Sequence, residues 1–343
     1  VDDVDRANAA RMRELLYGQV ISHGLVTVAE LGIPDLLAGG PLDLDTLAKH
    51  AGADPDALGR LLAALSGIGV FEPRPGDQYA LTPLGAMLCT GTPGSALSSA
   101  LLVGGVVGRA WGGLGEAVRT GRTAFESCFG TGFFAYLAAD PELGALFHRS
   151  QACDLELEAG ELLRVLDLPP GCLLVDVGGG RGDLLARLVA AAPDRRGVLL
   201  DRAESAEPAR RNLTAAGLAD RCEIRSGDFF RDIPAGGDVY LMRDILHDWD
   251  DEHCAALLSH CRAMMGEGTR LILVETLTDA PQSRDRAELV AAMDLYMMTV
   301  CNGRERDTAH LRRLLEPAGL RLNRVLPLHR GRAAVEAVPG RAG

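Results

Sequence analysis

No Cys-x-x-Cys pair occurs in the chain: Cys89, Cys128, Cys153, Cys172, Cys222, Cys254, Cys261 and Cys301 stand singly. That spacing indicates neither a zinc site nor a dithiol redox motif. Reduced thiols in a cytoplasm are the expectation. No run of 18 apolar residues is present. The longest apolar stretch, Ala96 to Val107, is broken by serines and glycines, and no segment reads as a secretory signal. No membrane partner is expected. Lysine is almost missing, Lys49 being the exception. Positive charge is short overall, since 35 Lys and Arg face 47 Asp and Glu for a net charge of −12. Binding nucleic acid needs concentrated cations to neutralise phosphates, so no nucleic-acid partner is expected either.

What is present describes a globular protein with a real core: 47% apolar and 24% charged residues over 343 positions, more than one typical domain. Residues 8–37 read as helices, with Leu15, Leu16, Ile21, Leu25, Val28 and Leu31 in a broad apolar stripe. A short helix over Leu44 to His50 follows. Asp54-Pro55 then caps a second helix, Ala57 to Gly67. Val70-Phe-Glu72 and Gln78 to Leu81 read as two strands around a Pro-Gly turn. Helix, turn, helix and hairpin make a winged-helix pattern, which invites a DNA-binding regulator as a rival reading. Over residues 41–90 the acids Asp43, Asp45, Asp54, Asp56, Glu72 and Asp77 outnumber Lys49, Arg60 and Arg74. A structural or dimer-forming module is therefore the better reading.

The second half alternates strands and helices. Leu173 to Val177 is a short buried strand, and Leu184, Leu185, Leu188 and Val189 repeat at helical spacing after it. Further strands are expected at Val198–Leu200, Cys222–Ile224, Val239–Met242 and Leu271–Val274. This rhythm predicts an α/β fold, a Rossmann-like doubly wound sheet. The expected domains are 1–106, helical and winged-helix, and 107–343, catalytic, with leading helices over 107–165. In that lead, helices are expected to begin at Trp111, Phe133 and Pro141, the last running towards Cys153.

Between the first strand and its helix lie Gly178, Gly180 and Gly182. Glycines there let the backbone approach a ligand, and the helix N-terminus supplies N–H donors. A dinucleotide fingerprint would need a glycine at position 183, where the chain has Asp183. Asp176 ahead of the turn, with G-x-G-x-G, instead looks like the S-adenosylmethionine motif of class I methyltransferases. Asp201 ends the next strand about 20 residues on, the usual place for a ribose-binding acid. Ligands in such sheets bind at the carboxyl ends of the strands. Those ends deliver Asp176, Asp201, Asp228 with Phe229, Arg243 and Glu275.

Two longer motifs are more specific. His247-Asp-Trp-Asp-Asp-Glu-His-Cys254 follows the fourth strand, and Gly303-Arg-Glu-Arg306 follows a late helix. With them the chain, over nearly its whole length, resembles the plant-type small-molecule O-methyltransferase family and its bacterial natural-product members. The resemblance implies a late antiparallel hairpin near Arg324–Leu328 and Ala333–Ala337. It also implies a homodimer built by the N-terminal module, and S-adenosyl-L-methionine as cofactor with S-adenosyl-L-homocysteine as product. His247 matches the catalytic base, and Glu275 and Glu305 match the acids flanking it. A free His has a pKa of about 6.5 and a phenol about 10, so full proton transfer would be uphill by about 5 kcal/mol. Coupling it to attack avoids part of that cost.

On the cofactor side the resemblance assigns Asp176 and the three glycines to the turn, Asp201 to the ribose, and Asp228 and Phe229 to adenine. It gives Arg243 a position where relatives often carry Lys. Asp176 is expected to hydrogen-bond its own glycine turn. On the acceptor side it assigns Gln151, Asp154, Asp248, Asp294, Met297, Met298 and Asn302. Relatives commonly carry Met and His where this chain has Gln151 and Asp154, which implies a more polar acceptor or a different pose. No metal is expected, and the acids at 248–252 read as charge at a helix start. The function implied is methylation of a phenolic or enolic hydroxyl of an aromatic secondary metabolite. The alternatives are N-methylation, or the same fold and cofactor diverted to hydroxylation, decarboxylation or ring formation.

Overall fold

The computed structural model describes residues 3–280 and 284–340. Two compact units emerge. One runs to Arg109 and takes in Ala145–Cys153; the other comprises Ala110–Gly144 and the chain from Asp154 onward.

In the first unit, helices Asp3–Leu16, Gly18–Glu30 and Ile33–Leu37 precede helices Leu44–Ala51 and Pro55–Ser66. Strands β1 (Leu42–Asp43), β2 (Phe71–Arg74) and β3 (Gln78–Leu81) form an antiparallel sheet in the order β1-β3-β2. The helix starts are fixed locally. The Asp43 carboxylate accepts from the Thr46 N–H, and that of Asp54 accepts from the Ala57 N–H with Pro55 in the first turn. Val28, Ile33, Leu47, Leu58, Leu62, Leu65 and Phe71 form the core beneath them. This is the expected helix-turn-helix with a hairpin. Met12, Leu15, Leu16, Tyr17 and Val20 are left exposed on the first two helices.

The stretch Leu97–Thr120 is long and apolar enough to cross a membrane by length and composition alone. It is not one helix, however. A π turn over Val103–Val107 contains the non-helical Gly105, and a 3-10 turn follows at Trp111–Gly113.

The second unit carries a seven-stranded sheet of β4 (Leu173–Val177), β5 (Arg196–Asp201), β6 (Cys222–Ser226), β7 (Val239–Arg243), β8 (Arg270–Thr276), β9 (Leu320–Pro327) and β10 (Arg332–Pro339). Their order is β6-β5-β4-β7-β8-β10-β9. The first five are parallel, and β10 runs antiparallel to both β8 and β9. The apolar strands are buried on both faces, as a sheet covered by helices demands. Order and register have a consequence for the site. The chain order reverses at β4, which opens a crevice at its carboxyl end. Because β10 is antiparallel, its first residue lies beside the last residues of β8: Arg332 pairs with Thr276 and Ala333 with Glu275.

Two helices depart from the sequence expectation. Pro141–Val165 is one helix of 25 residues, capped by Asp140, and does not stop near Cys153. No proline lies beyond its first turn, and Gly144 and Gly160, far apart along it, do not break it. Ala124–Phe129 forms a short extra helix capped by the Thr123 hydroxyl, which periodicity over six residues could not reveal.

Candidate active site

At the end of β4 the chain turns through Gly178, Gly180 and Gly182, all left-handed, with φ of 74°, 57° and 73°. Gly178 must be glycine for a second reason: a Cβ there would lie 2.4 Å from the Ile245 side chain, with Phe229 just beyond. The acid that holds the turn is not the expected one. Asp201 Oδ2 accepts from the Gly180 N–H at 2.6 Å, while its Oδ1 accepts from Arg202 N–H and the Ser205 hydroxyl. Asp176, expected to hold the turn, is buried against Gly179, and its Oδ2 has no hydrogen-bond partner. Burial, and then the neighbouring Asp201, push its carboxyl up to about 7. The correction follows from reach, since Asp201 arrives from the adjacent strand pointing at the turn, whereas Asp176 points beneath it.

Asp228 is exposed and organises its own loop, accepting from the Phe230 N–H at 2.9 Å. Phe229 and Phe230 both pack edge-on against Trp249. Arg243, at the end of β7, gives its guanidinium to Glu158 and Asp244 at 3.1 Å each.

Beyond β7 lies His247, in a 3-10 turn over Leu246–Asp248. Its Nδ1 is 3.2 Å from Glu305 Oε1, and its Nε2 is 3.6 Å from Asp248 Oδ1. Glu275 Oε1 accepts from the backbone N–H groups of Ile245 and Leu246, which anchors the turn from β8. Glu275 Oε2 and Glu305 Oε2 are buried without partners. A space of about 10 Å³, no larger than a water, is lined by His247, Glu275 and Glu305 among others. Two opposed effects act on the imidazole. Burial disfavours its charge, but Asp248, the hydrogen bond that Nδ1–H donates to Glu305, and Glu275 outweigh it and lift His247 to about 10. Burial in turn pushes Glu275 up to about 7 and Asp248 up to about 6, with the His247 charge opposing both shifts.

Gly303-Arg-Glu-Arg306 is locked onto this turn. The Arg304 N–H donates to the His247 carbonyl at 2.9 Å, and Arg306 donates to the Leu246 and Trp249 carbonyls at 2.7 Å each while pairing with Asp251. Contact is so close at Gly303 that a Cβ would lie 1.8 Å from the His247 carbonyl oxygen. Asp294, assigned to the acceptor side, accepts from the Glu305 N–H at 2.8 Å and so helps to fix Glu305. The acidic run behaves as a helix start: the Asp250 carboxylate caps Asp251–Met264 through the His253 N–H.

Of the remaining acceptor-side residues, Asp248 receives the Cys301 thiol, Met297 is buried, and Met298 is half-buried. Asn302 is exposed at φ 63° and lines an open cleft of about 550 Å³ with Gly121, Arg122, Thr123, Glu126 and Ser127. That size suits a small organic molecule. Gln151 is half-buried within the stretch grouped with the first unit. The side chain of Asp154 lies outside the described residues. His247, Asp248, Glu275, Glu305 and Asp294 therefore converge as one cluster.

Sequence reasoning missed three members of it. Asp244 lies with His247 and Glu275 in a trio whose ligand atoms are all within 4.8 Å of one another. This trio is poor for a cation, since Arg243 and Arg332 already hold Asp244. Arg332 itself, and Glu158 behind it, carry no motif. Arg306 belongs to the Gly303–Arg306 motif, but nothing in that motif's spacing encodes its hold on the Leu246 and Trp249 carbonyls.

Comparison with known proteins agrees with this architecture. The O-methyltransferase domain model matches residues 111–321, and the O-methyltransferase dimerisation domain model matches residues 13–91. The chain is 44% identical to O-methyltransferase SfmM3 of Streptomyces lavendulae over 95% of this chain and 99% of that one. Its fold matches the solved structure of mitomycin 7-O-methyltransferase MmcR with a TM-score of 0.92 and 36% identity, covering 99% of this chain and all of the other. It also matches the O-methyltransferase NcsB1 of neocarzinostatin biosynthesis, solved with S-adenosylmethionine and 2-hydroxy-5-methyl naphthoic acid. There the TM-score is 0.82 at 31% identity, over 93% of this chain and 95% of that one.

Proposed function

The chain belongs to the O-methyltransferase family and is an S-adenosylmethionine-dependent enzyme; from that premise we propose that it methylates a hydroxyl of an aromatic natural product, with His247 as the base. The observation that carries this reading is the imidazole of His247, held through Nδ1 by Glu305 at 3.2 Å with Nε2 left as the basic atom.

The donor set suits the cofactor. Asp201 has used three acceptor positions on the chain itself and keeps capacity for a ribose hydroxyl, since a carboxylate offers about four lone-pair sites. Phe229 and Ile245 give an apolar wall beside the glycine turn. When bound, S-adenosylmethionine supplies an activated methyl group on a sulfonium. The chain's own contribution is alignment and a proton acceptor. His247 Nε2 takes the hydroxyl proton as the oxygen bonds to the methyl carbon and the carbon–sulfur bond breaks, its electron pair leaving with S-adenosylhomocysteine; the imidazolium later releases the proton to solvent. Glu305 keeps the ring oriented, and Glu275 keeps the turn that carries it in place. Alignment of reactants can supply about 7–11 kcal/mol, and a positioned base typically adds about 10²–10⁴-fold.

Relatives named for mitomycin and crystallised with a hydroxynaphthoic acid support a flat aromatic acceptor. The dimerisation-domain match and the exposed apolar residues on the first two helices support a homodimer.

The test is transfer of label from methyl-labelled S-adenosylmethionine to a panel of hydroxylated aromatics, with and without EDTA. Transfer that survives EDTA and is lost in His247→Ala, with cofactor binding kept, is expected. Unchanged turnover in that variant would remove His247 from the mechanism.

A further inference from the structure

Among the four carboxylates around His247, Asp244 differs in two ways. Its backbone is left-handed at φ 54°, a conformation that costs energy for a residue with a side chain and persists where the surroundings enforce it. Its carboxylate is also clamped by guanidinium groups on both oxygens. Arg243 Nη1 lies 3.1 Å from Oδ2, and Arg332 Nη2 lies 2.7 Å from Oδ1. Arg243 and Arg332 are held in turn by Glu158, from helix Pro141–Val165. All of this is nearly shut off from solvent, with Asp244 10% exposed and Arg332 15%.

The position of Arg332 follows from topology. It opens β10, and because that strand is antiparallel its start coincides with the carboxyl end of β8, beside Glu275. An arginine can therefore enter the site from a strand that carries no motif.

We propose that Asp244, fixed by Arg332, is a positioning residue for His247: a permanently ionised carboxylate that steadies the imidazolium formed as the acceptor hydroxyl gives up its proton. The inference rests on His247 acting as the base. Its logic is electrostatic preorganisation, in which charge is already in place where new charge develops. Burial opposes ionisation of Asp244, but Arg332 and Arg243 outweigh it and hold the carboxyl well below the usual range. Glu275 and Asp248 are instead pushed up towards neutrality. The guanidiniums also stop Asp244 from competing for the proton that His247 must carry. The groups facing the imidazole are Asp248 on its own turn, Glu275 from β8 and Glu305 from the 303–306 segment, together with Asp244 from the end of β7, whose carboxylate lies within 4.8 Å of the ring nitrogen. Behind them stand Arg243, Arg332 and Glu158, the Cys301 thiol on Asp248, and the Arg306 guanidinium on the Leu246 carbonyl.

Asp244→Asn is the informative variant, because Asn tolerates the left-handed backbone and can still accept from Arg332. The measurement is NMR titration of the assigned His247 ring in the full-length protein, beside the pH dependence of kcat. Both midpoints are expected to fall by about one unit or more, the scale of losing one nearby opposite charge. The KM for S-adenosylmethionine should stay unchanged. If the folded variant keeps the wild-type His247 midpoint, the proposal is overturned, and any loss of rate belongs to packing. Should Asn prevent folding, Asp244→Gly suits the same backbone and reads the same shift. Failure of the base reading is seen separately, as full turnover in His247→Ala.

Discussion

His247 is a stronger base than its side chain suggests, and that strength has a cost in availability. Raised to about 10, it matches a phenol of pKa about 10, which removes the uphill gap of an ordinary imidazole. At neutral pH, however, most of the resting protein carries the imidazolium, which cannot accept a proton. The sign is therefore fixed: kcat should rise with pH from 7 towards 10 instead of levelling off above about 6.5, the ordinary imidazole value. A profile already flat at pH 7.5 would contradict this. Glu305→Gln removes the partner of Nδ1 and one of the charges that raise the ring. It should move the same rise to lower pH and cost about 10–100-fold in the high-pH kcat, as a misoriented base would. Steady-state kinetics across pH on the two proteins decides both points.

The segment Gly303–Arg306 acts as a clamp on the His247 turn, and its parts fail in different ways. Gly303→Ala places a methyl group on the His247 carbonyl, so the backbone must move. A shift of about 1 Å can cost about 10²-fold in rate, so kcat should collapse even where the protein stays folded. Arg306→Met removes the charged donor shared by the Leu246 and Trp249 carbonyls and the partner of Asp251, each such bond being worth about 1.5–3 kcal/mol. It should lower stability to chemical denaturation as well as activity.

At this same scale one can see what the sequence made legible. The parallel strands, the glycine turn and the winged-helix pattern were readable, because period-2 and period-3.6 burial and glycine punctuation are local signals; the late hairpin was legible only through the family resemblance. His247, Glu275 and Glu305 were readable through motif resemblance, and they do converge. The division of labour between Asp176 and Asp201 was not, because it depends on which of two adjacent strand ends points at the turn. Asp244 and Arg332 were hidden for a similar reason. Their pairing is set by strand direction and register, and no local pattern in the sequence encodes it.

Across the whole molecule, the acid cluster ties stability to pH. His247, Glu275 and Asp176 all bind a proton more tightly folded than unfolded, with values of about 10, 7 and 7. The stability this contributes is complete below their unfolded values and is lost as pH rises through the folded ones. Melting of the cofactor-free protein should therefore fall by roughly 5 °C or more between pH 7 and pH 10, followed by calorimetry. A level or rising Tm over that range would show that the cluster does not hold these protons. The exposed apolar residues of the first two helices bear on assembly. Leu16→Asp with Val20→Asp should convert the proposed dimer to monomer in light scattering, while leaving the catalytic unit folded.

The antiparallel placement of β10 also has a consequence for the order in which the protein is made. Translation proceeds at about 5–20 residues per second, so His247 and its acids leave the ribosome seconds before Arg332 does. Until then β8 is an open edge, a template for mispairing with other nascent chains. The strand that seals this edge is the one that delivers the guanidinium to Asp244. A chain that stalls before the hairpin is thus aggregation-prone and lacks the guanidinium beside Asp244 at once.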